Sequence, residues 1–227
     1  MRRLFLCLAV ILSGLGQVRA AVLLDYTARG WYEETGSNGG VGNYFAGQDY
    51  PGTTGKVYRN HFVFDLSSIN GRIVSAALVL NTANYLSPDA TEEYVLRHVS
   101  TPVDDLAIVS SVSIFDDLAD GSIYGSRIYS DLDDRVVNTI ALNAFAIADL
   151  NASIGGKFAL GGHISSLSGQ RTTAEGVFAD SQSDAVSRLW LEVQTVPEPP
   201  NLAIWSLLGV IGLVVGCRRR MCPSPTI

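Results

Sequence analysis

The feature that most constrains this chain is a rhythm. Across residues 22–194, short apolar and β-branched stretches recur about ten times, separated by glycine-rich and polar turns. Residues 57–66 show the pattern most cleanly. Tyr58, Phe62 and Phe64 fall on one face, and Arg59, His61 and Asp65 on the other, the period-two signature of a strand buried on one side. Residues 73–81 are more continuously apolar, as in a central strand. Further strands are expected at 22–26, 31–33, 94–99, 122–129, 135–142, 157–160, 175–179 and 187–194. Residues 36–55 carry too many glycines for a regular element and read as a loop presenting Tyr44, Phe45 and Tyr50. One helix is expected at 144–153, capped by Asn143 and stopped at Gly155-Gly156. No unit of about 20–50 residues repeats, which excludes a solenoid. Strands of this number and spacing predict an all-β fold: an antiparallel two-sheet sandwich of jelly-roll type with one short helix.

The two ends of the chain have a different character. Met1-Arg2-Arg3 opens a positive segment, residues 4–15 are apolar, and Val18 and Ala20 suit the narrow pockets of signal peptidase. Residues 1–20 are therefore expected to be a signal peptide, cleaved between Ala20 and Ala21. The apolar run is shorter than the roughly 20 residues of a spanning helix. At the far end, Val196-Pro197-Glu198-Pro199-Pro200 is a break that no helix or central strand crosses. Residues 202–216 then run without a charge, and Arg218, Arg219 and Arg220 follow. Fifteen apolar residues reach about 22 Å as a helix, short of the roughly 30 Å hydrocarbon layer. Flanking residues and arginine stems make up the difference, giving one membrane helix at about 200–217. The arginines stay cytoplasmic, so residues 21–195 form a domain outside the cytoplasmic membrane, with 221–227 a short tail.

The order Val196-Pro197-Glu198-Pro199, apolar helix, Arg218–Arg220 resembles the PEP-CTERM sorting signal of Gram-negative bacteria. That resemblance implies recognition of residues 196–220 by an exosortase, cleavage near Pro197-Glu198-Pro199, and delivery to the surface or an exopolysaccharide matrix. Pro200-Asn201 and the seven residues after the arginines depart from the usual pattern and bear on cleavage efficiency. Within the domain, RNHFVFDLSSINGRIVSAA at 59–77 is similar to the opening strands of secreted bacterial jelly rolls called DNRLRE domains, which resemble carbohydrate-binding modules. The wider stretch 58–193, with Tyr85-Leu86-Ser87-Pro88-Asp89 and Gly155-Gly156-Lys157-Phe158, looks like a recurring domain of PEP-CTERM proteins. The resemblance implies fold and location and supplies no activity.

Cysteine use agrees with export. Cys7, Cys217 and Cys222 all lie in the end segments, so residues 21–196 have no disulfide and no thiolate metal site. Without the arginines of the two end segments and Glu198, 10 basic and 21 acidic residues remain, a charge of about −11. That balance argues against nucleic acid or anionic lipid as a partner of the domain.

Catalytic patterns are weak. His61, His98 and His163 come from separate segments without metal-ligand spacing, and read as surface or strand histidines that each make a hydrogen bond. No GxSxG elbow is present. Asp65 with Glu92 or Glu93 can be nominated as a glycosidase pair, but 21 carboxylates make such pairs easy to find by chance. Two turn-rich acidic segments, Asp116-Asp117 with Asp120, and Asp131 with Asp133-Asp134, read as solvated loops, or else as a structural calcium site. No other cofactor is expected. Trp31, Tyr44, Tyr50 and Tyr85 are the aromatics placed to stack on sugar rings. The leading expectation is an exported, noncatalytic cell-surface or matrix protein associated with exopolysaccharide. A jelly-roll carbohydrate-binding module is the alternative, ahead of a secreted glycoside hydrolase. Expected partners are signal peptidase, exosortase, polysaccharide and the membrane through one C-terminal helix.

Overall fold

A computed structural model describes residues 20–39, 42–49, 55–170, 172–179 and 189–196. The segment before Ala20, Tyr50, and everything from Pro197 onward, including Arg218–Arg220 and the expected membrane helix, lie outside the described residues. Among the described residues no helix is long and apolar enough to cross a membrane.

The described chain is built mainly of antiparallel strands: β1 (Ala20–Glu33), β2 (Ala46–Gln48), β3 (Val57–Asp65), β4 (Arg72–Asn81), β5 (Tyr85–Leu86), β6 (Glu92–His98), β7 (Ile123–Tyr129), β8 (Val137–Ala141), β9 (Lys157–Ile164), β10 (Glu175–Val177) and β11 (Leu189–Val196). Two helices join them, α1 (Val112–Asp120) and α2 (Ala144–Ala152). The strands expected at 22–26 and 31–33 are one strand, β1, and that strand serves two ladders. Its first half pairs with β11, which continues to β4 and β8. Its second half pairs with β3, and β3 continues through β9 to β6 and β7. The register slips between Tyr26 and Ala28, where Thr27 hydrogen-bonds the Val63 carbonyl. A bulge bends and twists a strand, which is how one strand leaves one sheet for another.

The two ladders meet across one core. Leu24, Leu78, Leu80, Ile140, Leu191 and Val193 from the first join Phe62, Phe64, Tyr94, Leu96, Phe158 and Leu160 from the second. Phe62 and Phe64 are buried on the same face, as the alternation predicts, and Asp65 is exposed, accepting a hydrogen bond from the Ser67 amide at the turn.

The opposite face of β3 departs from the sequence expectation. Val63 and Ala159 pack there against Ile114, Phe115 and Leu118 of α1, with Tyr32, Val99 and Leu106 completing a second apolar cluster. Thus β3 is covered on both sides, and His61, expected at the surface, is only 2% exposed. The helix α1 is itself a correction, because residues 116–120 were expected to be an acidic turn and only one helix was foreseen. Ser111 caps it, accepting a hydrogen bond from the Ser113 amide, and Ile114, Phe115 and Leu118 make the buried stripe. Arg59 fastens α1 to the sheet: Nη1 donates to the Phe115 carbonyl at 2.8 Å, and the guanidinium lies 4.0 Å from the Phe115 ring centre. The other helix, α2, matches expectation, with the Asn143 side chain accepting from the Phe145 and Ala146 amides.

Candidate functional site

Three aromatic side chains from separate segments converge on an open pocket. Trp31 pairs with Asn60 and Glu33 with Tyr58 across the β1–β3 ladder, so Trp31 and Tyr58 are diagonal neighbours on one face. Their rings meet edge to face at 5.0 Å and 85°. Phe45, just before β2, meets Tyr58 at 5.5 Å and 60°. Two glycines permit this geometry by close approach. A Cβ on Gly39 would lie 2.0 Å from the Trp31 indole, and one on Gly176 would lie 2.6 Å from the Phe45 ring. The pocket holds about 250 Å³, and Asn43, Asp49, Leu86 and Ala179 are its other described lining residues. Drug-sized ligand sites run to roughly 300–1,000 Å³, so this volume suits a single ring-sized group.

Ala179 reaches the pocket through an unusual backbone turn. Phe178 adopts φ +67, a left-handed conformation costing roughly 1–2 kcal/mol for a residue with a side chain. Its ring offsets that cost by packing within 5.1–5.5 Å of Tyr44, Tyr94 and Tyr129. Asn43 then donates from Nδ2 to the Ala179 carbonyl at 3.0 Å and accepts from the Phe45 amide at 2.9 Å. One amide side chain thereby fixes both walls.

Among the described lining residues the one ionisable side chain besides Tyr58 is Asp49. Close by, Lys56 Nζ donates to both Glu33 carboxylate oxygens, at 2.7 and 2.8 Å. Those bonds, with one from Thr35, hold the Glu33 carboxyl below the usual range.

Of the three described aromatics among the four singled out from sequence, only Trp31 lines the pocket. Tyr44 is fully buried, its hydroxyl donating to the Asn81 carbonyl, and burial holds its phenol well above the usual range. Tyr85 is buried too and donates to the Asp89 carbonyl at 2.7 Å. Tyr50 lies outside the described residues. Phe45 and Tyr58, which sequence reasoning did not select, take their places. Phe45 stood in the loop with Tyr44 as an equal candidate; Tyr58 was assigned to the core because it shares a face with Phe62.

The acidic residues are held apart. Asp116 and Asp117 belong to α1. Asp117 accepts hydrogen bonds from the amides and hydroxyls of both Ser100 and Thr101. Burial raises its pKa, but those bonds together outweigh burial and hold it below the usual carboxylate range. Asp133 closes its own turn onto Ser130 and pairs with Arg127 at 3.0 Å, while Asp134 accepts from the Tyr85 amide. Asp120 and Asp131 are exposed. The described carboxylates that do converge are Asp89, Glu92 and Glu175, with oxygens within 4.8 Å of one another. Oxygen ligands of this kind suit a hard cation. Glu92 and Glu175 are buried and take hydrogen bonds from the hydroxyls of Ser87, Ser166 and Ser168.

The nominated carboxylates Asp65, Glu92 and Glu93 each take hydrogen bonds from different residues. Asp65 closes the Ser67 turn, and Glu93 is exposed and hydrogen-bonded to Ser165. His61 and His163 are diagonal neighbours on one face of the β3–β9 ladder, and neither is at the surface. Both ring nitrogens of His61 are buried without a hydrogen-bond partner, and burial lowers its pKa to about 4. His163 is partly buried with Nδ1 unpartnered, and burial, then Arg97 and Arg59, lower it to about 4. His98 packs edge to face on Tyr124 at 5.9 Å.

No protein-family model matches this chain, and no curated protein matches it. Among solved structures it is similar to the K1 cleaved adhesin domain of Lys-gingipain from Porphyromonas gingivalis W83. The identity is 15% and the TM-score 0.27, over 80% of this chain and 90% of that one, a superposition too loose to inform the fold or the site.

Proposed function

We propose that this chain is an exported, noncatalytic surface or matrix protein whose antiparallel domain, of jelly-roll type, holds polysaccharide in the pocket of Trp31, Phe45 and Tyr58. The sequence supports the export half through its expected signal peptide and its resemblance to an exosortase-sorted C-terminus. The pocket carries the binding half. It is open, about ring-sized, walled by three aromatic rings and edged by the amide of Asn43 and the carboxylate of Asp49. The C–H faces of a pyranose bury against aromatic rings while its hydroxyls need polar partners at the rim, and this lining offers both. Among the described lining residues there is one carboxylate, which fits retention of a polymer better than its hydrolysis, a reaction that in most glycosidases takes a pair.

Co-sedimentation with insoluble polysaccharides, and with exopolysaccharide from the producing cells, tests the reading. The chain should sediment with at least one, and Trp31→Ala should weaken retention about five- to thirtyfold, the loss of one stacking ring at roughly 1–2 kcal/mol. Equal retention of the two proteins would place binding elsewhere, and no retention on any polymer would refute the reading.

A further inference from the structure

The face of β3 and β9 that carries Val63 and Ala159 also carries His61 and His163, and α1 lies over it. Gly161 stands directly across from His61, and a Cβ there would lie 2.7 Å from the Leu118 carbonyl oxygen, so the α1 backbone rests on the sheet at that point. The shared core is on the opposite face, with Phe62 and Leu160. Hydrating His61 therefore takes the lifting of α1, not the opening of the core. The charged groups facing this layer leave both imidazoles without a partner at the buried nitrogens. Arg59 and Arg97 donate to the carbonyls of Phe115 and Gly121, each at 2.8 Å. On α1, Asp116 pairs with Arg59 at 3.8 Å, Asp117 is bound by Ser100 and Thr101, and Asp120 is exposed. Glu93 of β6 takes the Ser165 hydroxyl, and its pull on His163 with that of Asp120 is outweighed by burial and the two arginines. Lys157, Asp104 and Asp65 gather at the exposed end of the face, and Asp105 acts on Tyr32. Two imidazolium charges would thus join two arginines beneath one helix and gain no partner, a costly burial.

The same helix backs the pocket. Gly36, at φ +87, approaches so closely that a Cβ there would lie 2.4 Å from the Val112 amide nitrogen at the start of α1. The Tyr32 hydroxyl donates to the carbonyls of Leu106 and Val109, at 2.9 and 2.6 Å, and Asn38 Nδ2 donates to Val109 at 3.3 Å. At the far side of the turn, Gly39 lies against the Trp31 indole and its amide donates to the Trp31 carbonyl at 3.0 Å. Residues 34–39 are thus held between α1 and the Trp31 wall. Resting on the polysaccharide reading, we propose that α1 is an acid-released brace. Proton uptake by His61 and His163 lifts α1 and residues 106–111 from the sheet, the turn loses its backing, and the Trp31 wall slackens and releases the polymer.

Hydrogen exchange of the full chain, read by mass spectrometry and normalised for the intrinsic rate at each pH, tests the release. From pH 7.5 to 5 the opening of α1 should become about thirtyfold more frequent through His61 alone, whose burial lowers its pKa from 6.5 to about 4. At pH 5 the α1 amides should be protected about tenfold less, or lower still, than those of β4 and β11, because α1 opens without the core. Retention on a polysaccharide that holds the protein at pH 7.5 should fall about twofold or more at pH 5. His61→Leu with His163→Gln should keep both α1 protection and retention at pH 5, which separates release from titration of the polymer. In the wild type, whatever the variant does, unchanged α1 protection at pH 5 overturns the inference. Protection of α1 equal to that of β4 and β11 overturns it too, since α1 then leaves only with the whole fold. So does unchanged retention while α1 opens. Each of these leaves the polysaccharide reading standing, whereas no retention at pH 7.5 on any polymer defeats that reading and the inference with it.

Discussion

Mild acid should weaken the fold through His61. The imidazole is 2% exposed, with Tyr32 across from it at 5.8 Å between ring centres and α1 covering that face of β3, and neither ring nitrogen has a partner. Burial lowers its pKa from 6.5 to about 4, so the folded state favours the neutral ring. As pH falls below 6.5 the unfolded chain takes up a proton that the folded chain refuses. The stability associated with neutral His61 is complete above about 6.5 and lost progressively down to about 4. A shift of this size corresponds to about 3 kcal/mol in total, of which about 2 kcal/mol is lost by pH 5. His163 acts in the same direction, with a smaller effect because its ring is partly exposed. Carboxylates held low, such as Asp117 and Asp133, lose their contribution only at lower pH, so the range from 6.5 to 5 reports chiefly on histidines. Urea denaturation of residues 21–196 at pH 7.5 and pH 5 measures the loss. His61→Leu, which matches the apolar surroundings without a titrating group, should remove most of the pH dependence while staying folded at pH 7.5. A wild-type stability that does not change between the two pH values would refute the argument.

Two further outcomes are expected. Phe64→Ala, at a fully buried position of the shared core, should cost about 3–5 kcal/mol in chemical denaturation, a large share of a typical domain's roughly 5–15 kcal/mol; a loss below about 1 kcal/mol would contradict its placement. On the sorting reading, neutralising Arg218, Arg219 and Arg220 should impair membrane retention and surface delivery in fractionated cells, because that reading assigns them the charge that sets orientation; normal processing in that variant would refute the sorting reading.

Much of the β framework was legible because it is local. The alternation from Tyr58 to Asp65 placed β3 and set Phe62 and Phe64 inward, and Asn143 with Gly155-Gly156 bounded α2. The same alternation misjudged His61, because a period of two says which residues share a face and not whether that face is covered. The cover is α1, and its signal was present in Ser111 before Ile114, Phe115 and Leu118 at helical spacing. The aspartates interleaved with those residues drew the reading toward a loop. The site was legible only in part for a different reason. Trp31 and Tyr58 come from two strands and Phe45 from a loop, and only the ladder register brings them together. Tyr44 shows the converse, since a position in the same glycine-rich loop does not reveal that its ring turns into the core.

The most direct test of the account is a crystal structure of residues 21–196 grown with a bound tetrasaccharide from whichever polymer retains the protein. A sugar ring lying against Trp31, Phe45 and Tyr58, with hydroxyl contacts to Asp49 or Asn43, is the predicted result. A sugar bound on any other surface, with the three rings left in contact with solvent, would contradict it.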